Sequence, residues 1–381
     1  MKLMLHSPEE KNELSQHYER AFRCATELYI VTAYLTSWDA SLKLNESCTR
    51  FRIIIGKDFG ITKKSACTSV MNWLPAKRKS QFMVADLIDG FHPKAVFWSE
   101  GNEHFYAIVG SSNLTRAAFE KNYEANVFSE ISNSEFKSAK IWIKRLEEKS
   151  VVVSGDWLSA YQEAERKATK KPPQKLTNSI DSGYPSLNMW LPNPEDAEMR
   201  VSKRQEQMRA YAKHSKGLKA LFIKCATGEV SSESFYEQLP KYWSHEKGDR
   251  LQGSGWERKG KNSDFRALAE SYVRILKADP QERDDVVVEE IDLLHERKIP
   301  TRTAFLSEML CLEFPSLYPV LNKPVYTYLE RVNFKAPRGA SEGAQYIDLA
   351  KKLRYSLMQN PGHVANNIAE LDTVIWLAFG R

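Results

Sequence analysis

Cysteine is scarce in this chain and its members stand apart: Cys24, Cys48, Cys67, Cys225 and Cys311 are five residues in 381, with no C-x-x-C spacing and no paired histidines beside them. Scattered thiols of this kind exclude a disulfide framework and a zinc site of the usual spacing, and they predict a reducing compartment with no metal and no other cofactor. Long hydrophobic runs are missing too. No apolar stretch approaches the roughly 20 residues that a membrane span needs, and the opening MKLMLHSPEEKNEL turns polar by Pro8, before a signal-peptide core can form. A cytoplasmic protein with no membrane partner is the expectation. Wholesale disorder is excluded by an ordinary composition, 42% hydrophobic and 27% charged.

What the chain does have is length enough for two cores and an uneven charge. The formal total is +6. Residues 1–175 carry 26 Lys+Arg against 21 Asp+Glu, whereas residues 200–262 carry 14 against 7, interleaved with Tyr211, Phe222, Tyr242, Trp243 and Trp256. Cations beside aromatic rings suit a polyanion surface, because the cations release phosphate counterions and the rings stack on bases. The same pattern describes a solvated helical face over core aromatics.

Periodicity divides the chain. Residues 8–27 fit an amphipathic helix with Leu14, Tyr18, Phe22 and Ala25 on one side. Runs with strand character follow at 28–35, 50–56, 80–87, 91–98, 104–110 and 124–131, with helical stretches at 62–74 and 134–149. An α/β layered domain over 1–170 is predicted. The Pro-, Ser- and Asn-rich stretch 171–195 predicts a linker. From 196 to 381 strand signals nearly vanish, and helical patterns at 196–216, 263–278, 283–297, 302–313, 323–332, 342–358 and 362–379 predict an all-α domain that binds nucleic acid or regulates.

The chemistry gathers in GFHPKAVFWSEGNEHFYAIVGSSNLTRAAFEKNYEANVF, residues 90–128. If 91–98 is a strand, His92 and Lys94 share one face. GNE at 101–103 then turns the chain, and HFYAIVG returns antiparallel to deliver Gly110, Ser111 and Asn113 at the strand's end. A neutral His92 imidazole can attack phosphorus, while Lys94, the Asn113 amide and the Ser111 hydroxyl stabilise the non-bridging oxygens as charge builds. Glu124 can accept from the other ring nitrogen of a histidine and fix its tautomer. Taken singly these are a surface histidine, a solvated lysine, a turn-forming asparagine and a surface glutamate. Together they describe a phosphodiester site.

These residues carry a resemblance. HPK followed by GSSNLTRAAFEKNYEANV resembles the phospholipase D superfamily signature, H-x-K then G-S-x-N, and is especially similar to the single-motif nucleases and metal-independent restriction endonucleases of that superfamily. There an N-x-E glutamate follows, which here is Asn122, Tyr123 and Glu124. The resemblance spans about residues 1–165 in layout and 90–128 in motif. It implies an α/β fold, a phospholipase D-like mixed-sheet sandwich flanked by helices and followed by the all-α domain, with His92, Lys94, Ser111, Asn113 and Glu124 as catalytic residues. One position departs: Ser99 stands where many members carry an aspartate.

The implied mechanism needs two histidines, one to form a phosphohistidine and one to protonate the leaving oxygen. HSK at 214–216 and HEK at 245–247 lack the asparagine half of the motif, and His104 lies outside it and is expected to face solvent. The second imidazole is therefore expected from a second copy of the chain, in a homodimer formed through the catalytic domain with one shared site. The function expected is that of a metal-independent endonuclease, with DNA ahead of RNA as partner, in restriction or defence against foreign DNA. The alternatives are a lipid or small-molecule phosphodiesterase and a catalytically silent nucleic-acid-binding protein. Residues 300–329 resemble helical, helix-hairpin-helix-like domains of DNA-repair glycosylases, and fit equally a buried helix pair with a turn from Pro315 to Pro319.

Overall fold

The computed structural model describes residues 1–9, 13–164 and 187–380. The chain divides into two units, Met1–Leu187 with Lys335–Ala340, and Asn188–Phe334 with Ser341–Arg381.

In the first unit eight strands make one sheet: β1 (Lys2–His6), β2 (Glu27–Thr32), β3 (Arg50–Ile55), β4 (Phe82–Val84), β5 (Lys94–Glu100), β6 (His104–Gly110), β7 (Glu124–Ile131) and β8 (Val151–Val152). Their spatial order is β1-β7-β6-β5-β2-β3-β4-β8. The pairs β2·β3 and β3·β4 are parallel and the others antiparallel, so the sheet is mixed. Helices α1 (Glu13–Cys24), α2 (Lys64–Trp73), α3 (Arg116–Glu120), α4 (Asn133–Glu148) and α5 (Gly155–Ala160) complete the unit.

Alternation along the central strands sorts their side chains to two faces. On one, Tyr29, Val31, Ile54, Phe91 and Phe105 pack with Phe136 and Ile143 of α4. On the other, Phe22 of α1 meets Phe51 and Trp73 edge-on or tilted, and His17 stacks on Phe128 at 4.1 Å between centroids. The α4 start carries a capping box, Ser132 with Glu135, which satisfies two otherwise orphaned helix donors. Glycine at 101, with φ of 67°, makes the turn that joins β5 to β6.

Two strands, β1 and β8, lie outside the runs expected from the sequence, and three of the expected runs overshoot by more than a residue: β2 stops at Thr32 rather than 35, β4 covers only Phe82–Val84 of 80–87, and β5 starts late. β5 begins at Lys94 rather than 91, which leaves His92 just before the strand. Pro93 explains this: it has no N–H to give to a sheet ladder.

The second unit is all helical among the described residues, with α6 (Ala197–Thr227), α7 (Ser232–Gln238), α8 (Glu257–Gly260), α9 (Phe265–Lys277), α10 (Arg283–Glu296), α11 (Ala304–Glu313), α12 (Lys323–Arg331), α13 (Glu342–Gln359) and α14 (Ile368–Phe379). α6 runs well past the expected 216, to the left-handed Gly228 that caps it. Residues 171–186 of the expected linker lie outside the described residues. Of the remainder, Met189 and Leu191 are buried in a core with Val201, Tyr328, Leu353 and Leu371, so the segment from Asn188 onward is packed structure rather than linker.

The aromatic residues of 200–262 also differ from one expectation. Tyr211, Phe222 and Trp243 are buried, and Phe222, Trp243, Trp256 and Phe305 form one ring cluster with Phe235, Phe265 and Tyr272. Rings committed to the core cannot stack on bases. The buried face of α6, which includes Val201, Arg204, Tyr211, Leu218 and Phe222, is opposite an exposed one that carries Arg209, Lys213, Lys216 and Lys224 at helical spacing, with Glu206 at its start. In 300–329, the run Phe305–Leu312 is buried throughout, and Tyr318 and Val320 behind the turn are fully enclosed.

Candidate active site

The site assembles where β5, β6 and β7 meet, beside the end of β2. His92 is exposed but its backbone is not loose. Phe91 before it is buried in the core and its N–H donates to Asp58 Oδ2 at 3.0 Å, while Ala95 after it is already in the sheet. Lys94 Nζ lies 2.9 Å from His92 Nδ1, 3.2 Å from Nε2 and 3.0 Å from the His92 carbonyl oxygen. Burial lowers the Lys94 ammonium from its ordinary value and the Glu124 charge opposes this, which places the carboxylate in electrostatic reach of the lysine.

Asn113 is oriented by groups that the sequence did not flag. Its Oδ1 accepts from the Tyr34 N–H at 3.2 Å and from the Thr32 hydroxyl at 3.3 Å. A backbone N–H can only donate, so the amide oxygen is the end that faces it, and the two amide N–H donors are left for another acceptor. The Tyr34 ring meets His92 edge-on at 5.8 Å, and the Thr32 hydroxyl also accepts from the Leu114 N–H at 3.0 Å. The signal that could have located both residues is their position at the end of a buried strand beside the motif strands.

Ser111 and Glu124 form the other side. The Ser111 hydroxyl donates to Glu124 Oε2 and accepts from the Ala125 N–H at 3.0 Å, while Asn122 Nδ2 donates to Glu124 Oε1 at 3.1 Å. Within one chain Glu124 is thus held by Ser111 and Asn122, and no hydrogen bond joins it to His92 among the described residues. The expected pairing of glutamate to histidine is not made inside one copy. Gly110 permits this close approach of strands, since a Cβ there would collide with the Ala125 carbonyl oxygen and with Asn126.

All five residues singled out from the sequence therefore lie at one end of the sheet, in two groups: His92, Lys94 and Asn113 linked through Tyr34, and Ser111 with Glu124. One cation, Lys94, with amide donors and hydroxyls around an imidazole can take a phosphate group, and the exposed His92 ring can reach its phosphorus. Ser99, where an aspartate was the family expectation, is buried and hydrogen-bonded to Thr26 at 2.9 Å. It is five residues along β5 from Lys94, about 17 Å at strand rise, so the departure leaves the site untouched. His104 is exposed and meets Glu130 at 3.1 Å, away from these residues along β6. The HSK histidine, His214, is on α6 of the second unit and lies 3.3 Å from the buried Asp249.

No curated protein matches the chain. Among solved structures it is similar to NucT from Helicobacter pylori, at 15% identity and a TM-score of 0.31, over 40% of this chain and 98% of that one. No helix among the described residues is long and apolar enough to cross a membrane. Residues 17–147 match the family model described as "Cardiolipin synthase, PLD-like domain". That stretch, about a third of the chain, contains His92, Lys94, Ser111, Asn113 and Glu124 together with most of the strands that position them, and it is similar to a phospholipase D-like domain.

Proposed function

We propose that the chain is a phosphodiester hydrolase that cleaves nucleic acid through a phosphohistidine, in a site completed by a second copy of itself. The set orientation of Asn113 carries this reading: its N–H donors are aimed away from Tyr34 and Thr32, and Lys94 stands against His92, which is what an anion beside an imidazole nucleophile requires. In the first step a His92 ring nitrogen forms a bond to phosphorus and the phosphorus–oxygen bond to the leaving strand breaks, that oxygen taking a proton from the partner copy's imidazole. In the second, the same partner imidazole removes a proton from water, whose oxygen displaces histidine and releases the phosphate monoester. Lys94 and Asn113 stabilise the charge on the non-bridging oxygens in both steps.

An apolar strip beside the site supports the second copy. On the sheet face opposite α1, Leu3 and Leu5 of β1, at 63% and 66% exposure, adjoin Ala125 and Val127 of β7 and Val109 of β6, at 50%. Exposed apolar side chains in one continuous patch mark an association surface, and this one reaches Ala125, whose backbone N–H donates to the Ser111 hydroxyl. The basic stripe on α6 supports a polyanionic substrate rather than a lipid.

Duplex and single-stranded DNA, RNA and phosphatidylcholine vesicles, each incubated with the protein in excess EDTA, test the reading. Cleavage of a nucleic acid that His92→Ala abolishes is the expected result; turnover of lipid alone, or of nothing, rejects it. Leu5→Asp is expected to dissociate the dimer in sedimentation and to remove activity with it, and an active monomer would reject the shared site.

A further inference from the structure

His6 closes β1 and is 8% exposed, and neither ring nitrogen has a hydrogen-bond partner. A neutral imidazole presents one donor and one acceptor, and a protonated one two donors. Burying them unpaired costs stability that an apolar residue in the same place would not cost, so a reason for the imidazole is worth seeking in what lies beside it. The register of β1 on β7 puts His6 directly opposite Glu124. Residues directly opposite in an antiparallel pair project from the same face with Cβ atoms about 4.5–5.5 Å apart. That face is the one under α1, because Lys2, on the same side of β1 as His6, is opposite Phe128, on which His17 of α1 stacks. Each Glu124 oxygen accepts one side-chain bond, from Ser111 and from Asn122, and a carboxylate has capacity for more.

We propose that His6 is a positioning residue that acts through Glu124: the two are not hydrogen-bonded in the structure, and a turn of the buried ring brings one of its N–H groups to the carboxylate directly opposite it. Ser111 and Asn122 grip the carboxylate from the strand ends, and His6 supplies the third hold, which keeps its charge directed at Lys94. Burial keeps His6 itself from the substrate. The role rests on the phosphodiesterase reading of the site, whereas the contact does not.

Steady-state hydrolysis of bis(p-nitrophenyl) phosphate by the full chain tests the role. His6→Leu is expected to lower kcat about tenfold or more, as misplacement of a supporting group does, with KM within about twofold and a melting temperature equal to the wild type or higher. His6→Gln, which retains an N–H donor, is expected to recover a substantial part of the lost kcat. Wild-type kcat in His6→Leu overturns the inference, and so does a kcat loss that comes with a lowered melting temperature and no recovery in His6→Gln, since that is what a purely structural residue gives. A stability cycle over His6→Leu, Glu124→Gln and the double variant tests the contact without activity. Non-additivity of at least about threefold in the unfolding equilibrium constant is expected, and additivity overturns it. A wild type inactive on every phosphodiester would reject the reading of the site, while the cycle would still decide whether the two side chains interact.

Discussion

In the first unit His92 and Lys94 stand against each other with Glu124 in electrostatic reach of the lysine, His92 exposed and the other two half-buried. In the second, Arg204 and Asp372 lie 3.0 Å apart and Lys352 and Asp348 likewise, with all four side chains buried. The two arrangements use similar residue types for different ends. A buried pair has given up its hydration and depends on its partner, so it specifies packing and little else. The strand-end residues of the first unit keep unspent hydrogen-bonding capacity and solvent access, and only such groups can take a ligand. Ion pairs by themselves therefore do not mark a site; capacity left over after the local partners are counted does.

The sharpest test of this contrast removes one residue from each region. His92→Ala is expected to lower phosphodiesterase turnover by about 10⁴-fold or more, as loss of a nucleophile does, with no loss of thermal stability because the ring is exposed. Arg204→Met is expected to do the reverse, costing about 3–5 kcal/mol in chemical denaturation because Asp372 is left charged and buried, while the His92 site keeps its geometry. If the first variant unfolds or the second alone abolishes turnover in a still folded protein, the division fails.

A pH series is next in size. Glu308 is fully buried, accepts from the Leu251 N–H at 2.6 Å, and its carboxyl is pushed up to about 7 by burial, against those hydrogen bonds and the Arg250 charge. The folded state thus keeps a proton that the unfolded chain has released. The stability this gives is fully present below the ordinary 4.5 and is lost as pH rises through about 7, about 3 kcal/mol in all. Urea denaturation from pH 5 to 8 should show that decline, and Glu308→Gln should flatten it. The smallest effect belongs to the exposed pair Arg116 and Glu120, four residues apart on α3. Arg116→Ala is expected to change stability by no more than about 0.5 kcal/mol.

Much of this was legible in advance, for reasons that differ by element. The β5–β6 hairpin is local: alternation, a three-residue turn with glycine, and alternation again, so six strands and the spacing of the five site residues could be placed. β1 could not. Its five residues are half polar, and its partner β7 is more than a hundred residues away, so nothing local announces the pairing. For the same reason nothing local in the sequence singles out His6. Tyr34 and Thr32 escaped because their roles come from strand order, which brings the end of β2 beside β5. His92 was placed on a strand because alternation was weighed above the missing N–H of Pro93. The aromatics of 200–262 were readable as core or as surface, and only the packing around Phe222 and Trp243 decides it.

The register of β1 on β7 also sets an order of events during synthesis. β1 leaves the ribosome before the other strands of its sheet, yet the strand it must pair with ends at Ile131, so its docking waits until most of the first unit has emerged. Closing so long a loop comes after the local hairpin has formed. The carboxylate of Glu124 and the edge that covers it are thus among the last parts to be brought together, and a growing chain carries its motif residues for some time before the arrangement around them is finished.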